Sequence, residues 1–274
     1  MNLLNVAVIQ TNAGPEMDAN LQGVESLIRE AKKQGAELIV LPENVAGIGG
    51  DRARKLKLAY PEAEHPANLL FARLTRELGL WLVGGSLSIK MTADKIANRC
   101  LVYNALGAVV GRYDKIHLFD ADPKSGESYR ESELVVPGSK AVLVDAPWIK
   151  LGLTICYDVR FASLYRRLAK SGAGVIVAPA AFTVPTGEAH WHVLLRARAI
   201  ETGCFILAPA QCGQHDGGRK TYGHSLIVSP WGEIIKEAGA DKPEILMAKL
   251  DLDKINQARK AIHSLNHDRD YTGP

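Results

Sequence analysis

The sequence predicts an α/β fold with mixed β-sheets, on three observations. An amphipathic helix, a glycine and an apolar strand recur in that order four times; shorter apolar runs pair into hairpins between them; and several strands are hydrophobic on both faces, as strands covered on both sides are.

Residues 5–10 form the first strand, with Val6 and Val8 on one face and Ala7 and Ile9 on the other. Residues 20–34 follow as a helix whose apolar stripe is Leu21, Val24, Leu27, Ile28 and Ala31, closed by Gly35. Residues 37–41 are the next strand, halted by Pro42, with Glu43 just beyond. The cassette returns as helix 67–78, Gly79 and strand 80–86; as helix 164–170, Gly172 and strand 174–180; and as helix 191–202, Gly203 and strand 204–209. The copies share neither a period nor a sequence, so they are not repeats. Residues 100–105 and 108–113 read as a hairpin turning at Leu106 and Gly107. Residues 141–144 pair with the strand that begins at Leu151, and residues 225–228 with 233–236. Segment 120–133 is polar and rich in turn formers, an ordered surface loop. After Leu252 come a polar helix and an irregular end, a tail beyond about residue 253 that packs on a partner subunit or frays. No Pro/Ser-rich linker interrupts the pattern, which argues for one domain over residues 1–274.

Composition narrows the function. The chain has 274 residues, 47% hydrophobic and 23% charged, enough for a sizeable core. A net charge of +3 without a like-charge run argues against a nucleic-acid partner. The opening MNLLNVAVIQ reads as a strand and not a leader, and no apolar stretch approaches the roughly 20 residues that span a bilayer. The expectation is a cytoplasmic protein without a membrane partner. Cys100, Cys156, Cys204 and Cys212 lack Cys-x-x-Cys spacing and read as free thiols.

Chemistry is suggested by what stands past three strands. LGLTICYDVRF, residues 151–161, is an apolar strand that delivers Cys156 to its end. A lone cysteine is more often core filling. Glu43, however, follows ELIVLP, and Lys115 follows AVVGRYD. Strand ends are where α/β folds gather ligands. A free thiol has a pKa of about 8.5 and needs a base. A desolvated Glu43 takes the thiol proton and returns one to a leaving amine. The Lys115 ammonium and the backbone N–H of Tyr157 stabilise a tetrahedral oxyanion, and a thioester follows, released by water.

The segments LPEN, RYDKIHLFD and ICYDVRF resemble the three signature blocks of the nitrilase, or carbon–nitrogen hydrolase, superfamily, and Glu43, Lys115 and Cys156 match its triad residue by residue. The similarity runs from VAVIQ to SPWGEII. It implies a four-layer α-β-β-α sandwich, usually paired into homodimers, with no metal or organic cofactor and a small-molecule amide as the substrate. It also implies that Glu131, in YRESELVVPG, supports the lysine and helps position the substrate. The blocks AAFTVPTGEAHWHVLLRARAIETGCF and AQCGQHDGGRKTYGHS are similar to the branch acting on deaminated glutathione. That branch implies a carboxylate-bearing amide, with ammonia and α-ketoglutarate as products and cysteinylglycine from a second amide. ω-Amidases and N-carbamoyl amino acid hydrolases of the same superfamily are the enzymatic alternatives, and a non-catalytic scaffold on the same fold is the alternative of another class. A thiol redox protein would need a resolving cysteine nearby. Where the family commonly has Pro-Glu, this chain has Ala162 and Ser163, which removes a carboxylate partner for Arg160.

Tyr157, Phe182 and Thr183 are expected to line the substrate pocket. Asp158 and Arg160 read as a structural ion pair beneath the nucleophile, and Arg196, Arg198 and Glu201 as a solvated face or dimer-facing ion pairs. His190 and His192, two apart on a helix, face different ways and share no ion; His215, Asp216 and His224 read as surface or rim residues. Gly84 and Gly85 lack the rest of a dinucleotide fingerprint.

Overall fold

The computed structural model describes residues 2–48, 51–123 and 128–273. In chain order the first half is β1 (Leu3–Gln10), α1 (Met17–Lys33), β2 (Leu38–Val40), α2 (Arg52–Lys57), α3 (Pro66–Leu78), β3 (Trp81–Val83), β4 (Leu87–Lys90), β5 (Ile96–Tyr103), β6 (Val109–Asp114) and a ribbon of β7 (Asp120–Ala121) and β8 (Tyr129–Arg130). The second half is β9 (Leu143–Asp145), β10 (Lys150–Leu153), α4 (Ala162–Lys170), β11 (Ala173–Val177), a short turn α5 (Val184–Thr186), α6 (His192–Thr202), β12 (Phe205–Ala208), a second ribbon of β13 (Cys212–Gln214) and β14 (Lys220–Tyr222), then β15 (Leu226–Val228), β16 (Ile234–Glu237), β17 (Glu244–Asp251) and α7 (Asp253–Ala261).

Two sheets result. One runs β17-β1-β2-β3-β5-β4, with β6 also paired to β5; the other runs β16-β15-β12-β11-β10-β9. In each, three strands are parallel at the centre, β1-β2-β3 and β10-β11-β12, and the flanking pairs are antiparallel. The period-two alternation of β1 explains the layering. Val6 and Val8 enter the core shared with Leu151, Leu153 and Val175 of the other sheet, while Ala7 and Ile9 pack with Ile28 of α1 and Phe71 of α3. Leu164 and Leu168 of α4 and Leu195 and Ala199 of α6 cover the far side of the second sheet. The order is helix, sheet, sheet, helix, the four-layer α-β-β-α sandwich expected.

Three differences from the sequence reading have local causes. β17 was not among the expected strands, yet it pairs with β1 along all eight residues. Its charged Glu244, Lys249 and Asp251 interrupt the apolar pattern of an edge strand whose alternate residues Leu246 and Leu250 are buried. The strand expected over 80–86 stops at Val83, because the chain turns at Gly85 (φ 64°), where an added Cβ would lie 2.0 Å from the Pro42 carbonyl. That close approach seats Gly85 and Ser86 against the chain entering Glu43. The expected surface loop 120–133 holds the β7–β8 ribbon and a 3₁₀ turn at Glu131–Glu133, with residues 124–127 outside the described ones. The tail docks on α4, where Asp268 meets Lys170 at 2.5 Å and also pairs with Arg166. No helix of the described residues is long and apolar enough to cross a membrane.

Candidate active site

Three segments leave their strands at one edge of the sandwich. The chain continues from β2 through Leu41 and Pro42 to Glu43, whose carbonyl accepts the Gln211 side-chain amide at 3.0 Å. Asn44 takes a left-handed φ of 55° and donates its N–H to Ser86 Oγ at 3.0 Å. Lys115 follows β6 directly, its N–H donating to the Asn98 carbonyl at 3.0 Å. Cys156 stands beyond β10, at the start of a 3₁₀ turn, and not on the strand itself. Its φ is 49°, a region that residues with a Cβ seldom occupy. The turn is over-determined, which is how such strain persists. The Cys156 N–H donates to the Pro179 carbonyl at 2.8 Å, and Asp158, fully buried, accepts the Ile155 N–H at 2.8 Å.

The polar side chains converge. Lys115 Nζ lies 3.0 Å from Glu43 Oε1 and 2.9 Å from Glu131 Oε2. Asn98 Nδ2 donates to Glu43 Oε1 at 2.9 Å and to Glu131 Oε1 at 3.3 Å, and the Phe119 N–H donates to Glu131 Oε2 at 2.7 Å. Burial works against the charge on Lys115, but the carboxylates of Glu131 and Glu43 outweigh it and hold the ammonium well above its ordinary pKa. Burial works against the Glu131 carboxylate too, and Lys115 overcomes it, so that group is lowered. Burial and the neighbouring Glu43 carboxylate push the Cys156 thiol well up against the opposing pull of Lys115. Both effects favour the thiol form of Cys156, with the Glu43 carboxylate close enough to the sulfur to disfavour a thiolate.

These residues line a cavity of about 210 Å³. Tyr157, Phe182 and Thr183 all line it. Tyr157 packs edge-on against Phe119 at 5.2 Å, Phe182 against Trp191 at 4.8 Å, and the Thr183 hydroxyl meets that of Thr186 at 2.8 Å. Thus Glu43, Lys115, Glu131, Cys156, Tyr157, Phe182 and Thr183, spread over 141 positions from 43 to 183, share one cavity.

Other expectations are corrected. Asp158 and Arg160 do not pair. Asp158 accepts the Tyr113 hydroxyl at 2.6 Å and the His117 N–H at 3.1 Å, and its Oδ1 lies 2.7 Å from His117 Nδ1. Arg160 turns instead into the cavity, 5.6 Å from the Tyr157 ring centre and 5.5 Å from that of Phe182, with Nη1 at 3.3 Å from His190 Nδ1. A 3₁₀ turn explains this: residues two apart leave it in different directions. Arg198 is not on a solvated face; it is 7% exposed, donates Nε to the Val159 carbonyl at 2.7 Å, bracing the turn that carries Cys156, and pairs with Glu201 at 2.9 Å, while Arg196 donates to the Gly232 carbonyl at 2.8 Å. His215 is buried, not on the rim, with Nδ1 at 2.9 Å from the Ala13 carbonyl and Nε2 at 2.6 Å from the Thr221 hydroxyl. Asp216 pairs with Arg54 at 2.7 Å. On the outer face His192 Nε2 and His224 Nδ1 approach Glu237 Oε1 at 2.9 and 2.8 Å, so three metal-capable groups meet there.

Sequence reasoning missed Asn98, Lys55 and Arg219, all of which line the cavity. Asn98 did carry a signal: it is a polar residue in the apolar run IANRCLVY, at 5% exposure. Lys55 and Arg219 sit in polar segments without a pattern to single them out.

The family model for carbon–nitrogen hydrolases matches residues 5–260. The deaminated glutathione amidase of Synechocystis sp. (strain PCC 6803 / GT-S) is 42% identical over 264 residues, covering 95% of this chain and 96% of that one. Among solved structures, the C. elegans NitFhit protein superposes with a TM-score of 0.88 at 32% identity, over 97% of this chain and 65% of that longer one. A mutant of the amidase from Nesterenkonia sp. AN1, carrying acrylamide added at its active-site cysteine, superposes with a TM-score of 0.77 at 26% identity, over 95% of this chain and 98% of that one.

Proposed function

This chain belongs to the carbon–nitrogen hydrolase family, and on that footing we propose that it is a cysteine-dependent amidase for small carboxylate-bearing amides such as deaminated glutathione. The observation that carries the reading is the cluster of buried Glu43 and Lys115 with part-buried Glu131 beside the Cys156 thiol. The similarity to a deaminated glutathione amidase and to an amidase with an active-site cysteine supports it.

The steps follow from those positions. The Cys156 proton passes to the Glu43 carboxylate as sulfur attacks the amide carbonyl. A thiol raised above its ordinary pKa is a weak nucleophile until deprotonated, so transfer and attack are coupled. Lys115 Nζ and the Tyr157 N–H stabilise the oxyanion that forms. Glu43 then gives its proton to the nitrogen, the C–N bond breaks, and an acyl thioester remains on Cys156. Water attacks the thioester, Glu43 takes its proton, and sulfur leaves to be reprotonated. Glu131 accepts from Lys115 through Oε2, takes no part in that proton traffic, and keeps the ammonium charged and in place. Arg160, with no carboxylate partner among the described residues, receives the carboxylate of the acyl half; Tyr157, Phe182 and Thr183 flank it.

Ammonia is released only from a primary amide. In deaminated glutathione the acyl carbon is bonded to the cysteine nitrogen, so the departing amine is cysteinylglycine. The ammonia expected from sequence belongs to a primary amide such as α-ketoglutaramate. Cys156→Ala is expected to keep the fold and lose turnover, and acid quenching of the native protein with substrate is expected to trap an acyl mass on Cys156. Retained turnover in Cys156→Ala would remove the nucleophile assignment. Rates on deaminated glutathione, α-ketoglutaramate and an N-carbamoyl amino acid rank the substrate classes.

A further inference from the structure

We infer that Lys55 and Arg219 form a second anion subsite at the mouth of the cavity, which takes the carboxylate at the far end of the leaving group. The inference rests on the amidase reading above and extends it from the acyl half of the substrate to the amine half. It implies that the preferred amine half is a small peptide or amino acid with a free carboxylate.

The two cations come from distant segments that one contact brings together. Asp51 caps α2 by accepting the Arg54 N–H at 2.9 Å, and Arg54 reaches across to Asp216 at 2.7 Å, in the turn between β13 and β14. That ion pair sets Lys55, the next residue of α2, beside Arg219, just before β14. Both line the cavity that holds Cys156.

Their partners are incomplete in a way that points to a ligand. Arg219 donates Nη2 to the Ala181 carbonyl at 3.2 Å and lies 5.6 Å from the centre of the Tyr129 ring, but its Nε is buried and has no hydrogen-bond partner. Buried polar groups are rarely left so, and an orphaned donor costs the desolvation of that group. Neither Lys55 nor Arg219 has an ion-pair partner among the described residues, while the neighbouring Arg54 has two. Burial and the charge of Arg219 lower the pKa of Lys55, against the attraction of Glu131. Two like charges held together and partly desolvated repel one another, and an anion between them relieves that repulsion. The carboxylates inside the cavity cannot serve, since Glu43 and Glu131 are engaged by Lys115.

Position selects the far carboxylate over the near one. The acyl half must sit at Cys156, which is 8% exposed, beside Arg160. The amine half departs outward, and Lys55 is an exposed residue at that opening. A guanidinium fork with an ammonium beside it matches the two oxygens of a carboxylate.

The test compares three substrates that share one acyl group: α-ketoglutaryl-cysteinylglycine, the same compound with its terminal carboxylate converted to a carboxamide, and α-ketoglutaramate, whose leaving group has no carboxylate. With the full-length native enzyme, the carboxamide is expected to show a KM roughly 10- to 100-fold above that of the acid, with little change in kcat, as loss of a hydrogen bond to a charged group would give. Arg219→Gln and Lys55→Met are each expected to raise KM for the acid by about tenfold and to leave α-ketoglutaramate unchanged. The subsite is overturned if the native enzyme takes acid and carboxamide alike, or if both variants lose all three substrates equally. The amidase reading fails separately, and only if the native enzyme turns over none of the three. The acid–carboxamide comparison needs no variant, so misfolding cannot obscure it.

Discussion

The inner and outer ends of one cavity carry charge in opposite ways. At the inner end Lys115, 2% exposed, is gripped by Glu43 and Glu131 within 3.0 Å, and Asn98 ties the two carboxylates together. At the outer end Lys55 and Arg219 face the same space with no ion-pair partner among the described residues. Paired charges in a dry site are fixed in place, which suits groups that must exchange protons at set distances. Unpaired cations keep their valence for a ligand. On the proposed amidase reading, the difference gives chemistry to one end and selection to the other, and it can be attacked from either side.

The largest effects should come from the inner end. Lys115→Met strands the buried Glu43 carboxylate and the part-buried Glu131 one, and breaking a buried pair from one side costs about 3–5 kcal/mol. Losing the oxyanion partner as well should lower kcat by about a hundred- to a thousandfold. Urea unfolding and steady-state rates measure the two losses separately. Glu43→Gln keeps the shape and removes the proton carrier, so it should cost about 100- to 10,000-fold in kcat with far less effect on the unfolding midpoint. Were the two variants equally unstable, the inner cluster would be a structural ion network and not a catalytic one.

Asn98→Ala sharpens the same end. It removes the amide shared by both carboxylates while leaving every charge, and should lower kcat by about tenfold, as loss of a hydrogen bond to a charged group does. The expected split is a fall in kcat with KM nearly constant. A change confined to KM would move Asn98 into substrate binding.

The two ends should also part company with pH. Glu131 has a lowered pKa, so its contribution to stability is present above the unfolded carboxyl value of about 4.3 and is lost as pH falls through the folded value. Lys115 is raised, so its contribution is full below the unfolded lysine value of about 10.4 and is lost only as pH rises through a still higher folded one. The inner cluster therefore holds across the neutral range. Lys55 is lowered by burial and by Arg219, so it sheds its charge earlier than an ordinary lysine as pH rises. KM for α-ketoglutaryl-cysteinylglycine should climb severalfold on the alkaline side while KM for α-ketoglutaramate stays flat, and Lys55→Arg should abolish that limb. A climb shared by both substrates would place the titration elsewhere.

The same division explains what the sequence disclosed. The inner residues each stand past an apolar strand, and strands announce themselves by alternation, so Glu43, Lys115 and Cys156 could be located before any coordinates. The alternation of Val6 and Val8 against Ala7 and Ile9 likewise showed two covered faces, and only the structure assigns the first to the other sheet and the second to α1 and α3. Glu131 was reached only through family resemblance, since its segment has no periodicity. The mouth is built from α2 and the β13–β14 ribbon, six and three residues long, where polar side chains occur with no period. Their meeting is long-range, marked by the Arg54–Asp216 contact, which no local pattern encodes. Arg160 was misplaced for a related reason. Proximity to Asp158 in sequence suggested a pair, but Asp158 was already committed to Tyr113, His117 and Ile155.

The smallest effect is the one that tests whether the mouth is assembled loosely. The Arg54–Asp216 pair is short but partly exposed, with side-chain exposures of 33% and 42%, and such pairs are worth about 0–1 kcal/mol in solvent. Arg54→Ala should therefore leave kcat on α-ketoglutaramate untouched and raise KM for α-ketoglutaryl-cysteinylglycine by less than about fivefold. Lys55 and Arg219 remain present in that variant; only their spacing relaxes, so the loss must be smaller than removing either one. If Arg54→Ala instead matched Arg219→Gln, the clamp would owe its affinity to preorganisation more than to charge. If it lowered kcat on both substrates, the two ends of the cavity would be coupled, and the division between a fixed inner end and a selective mouth would fail.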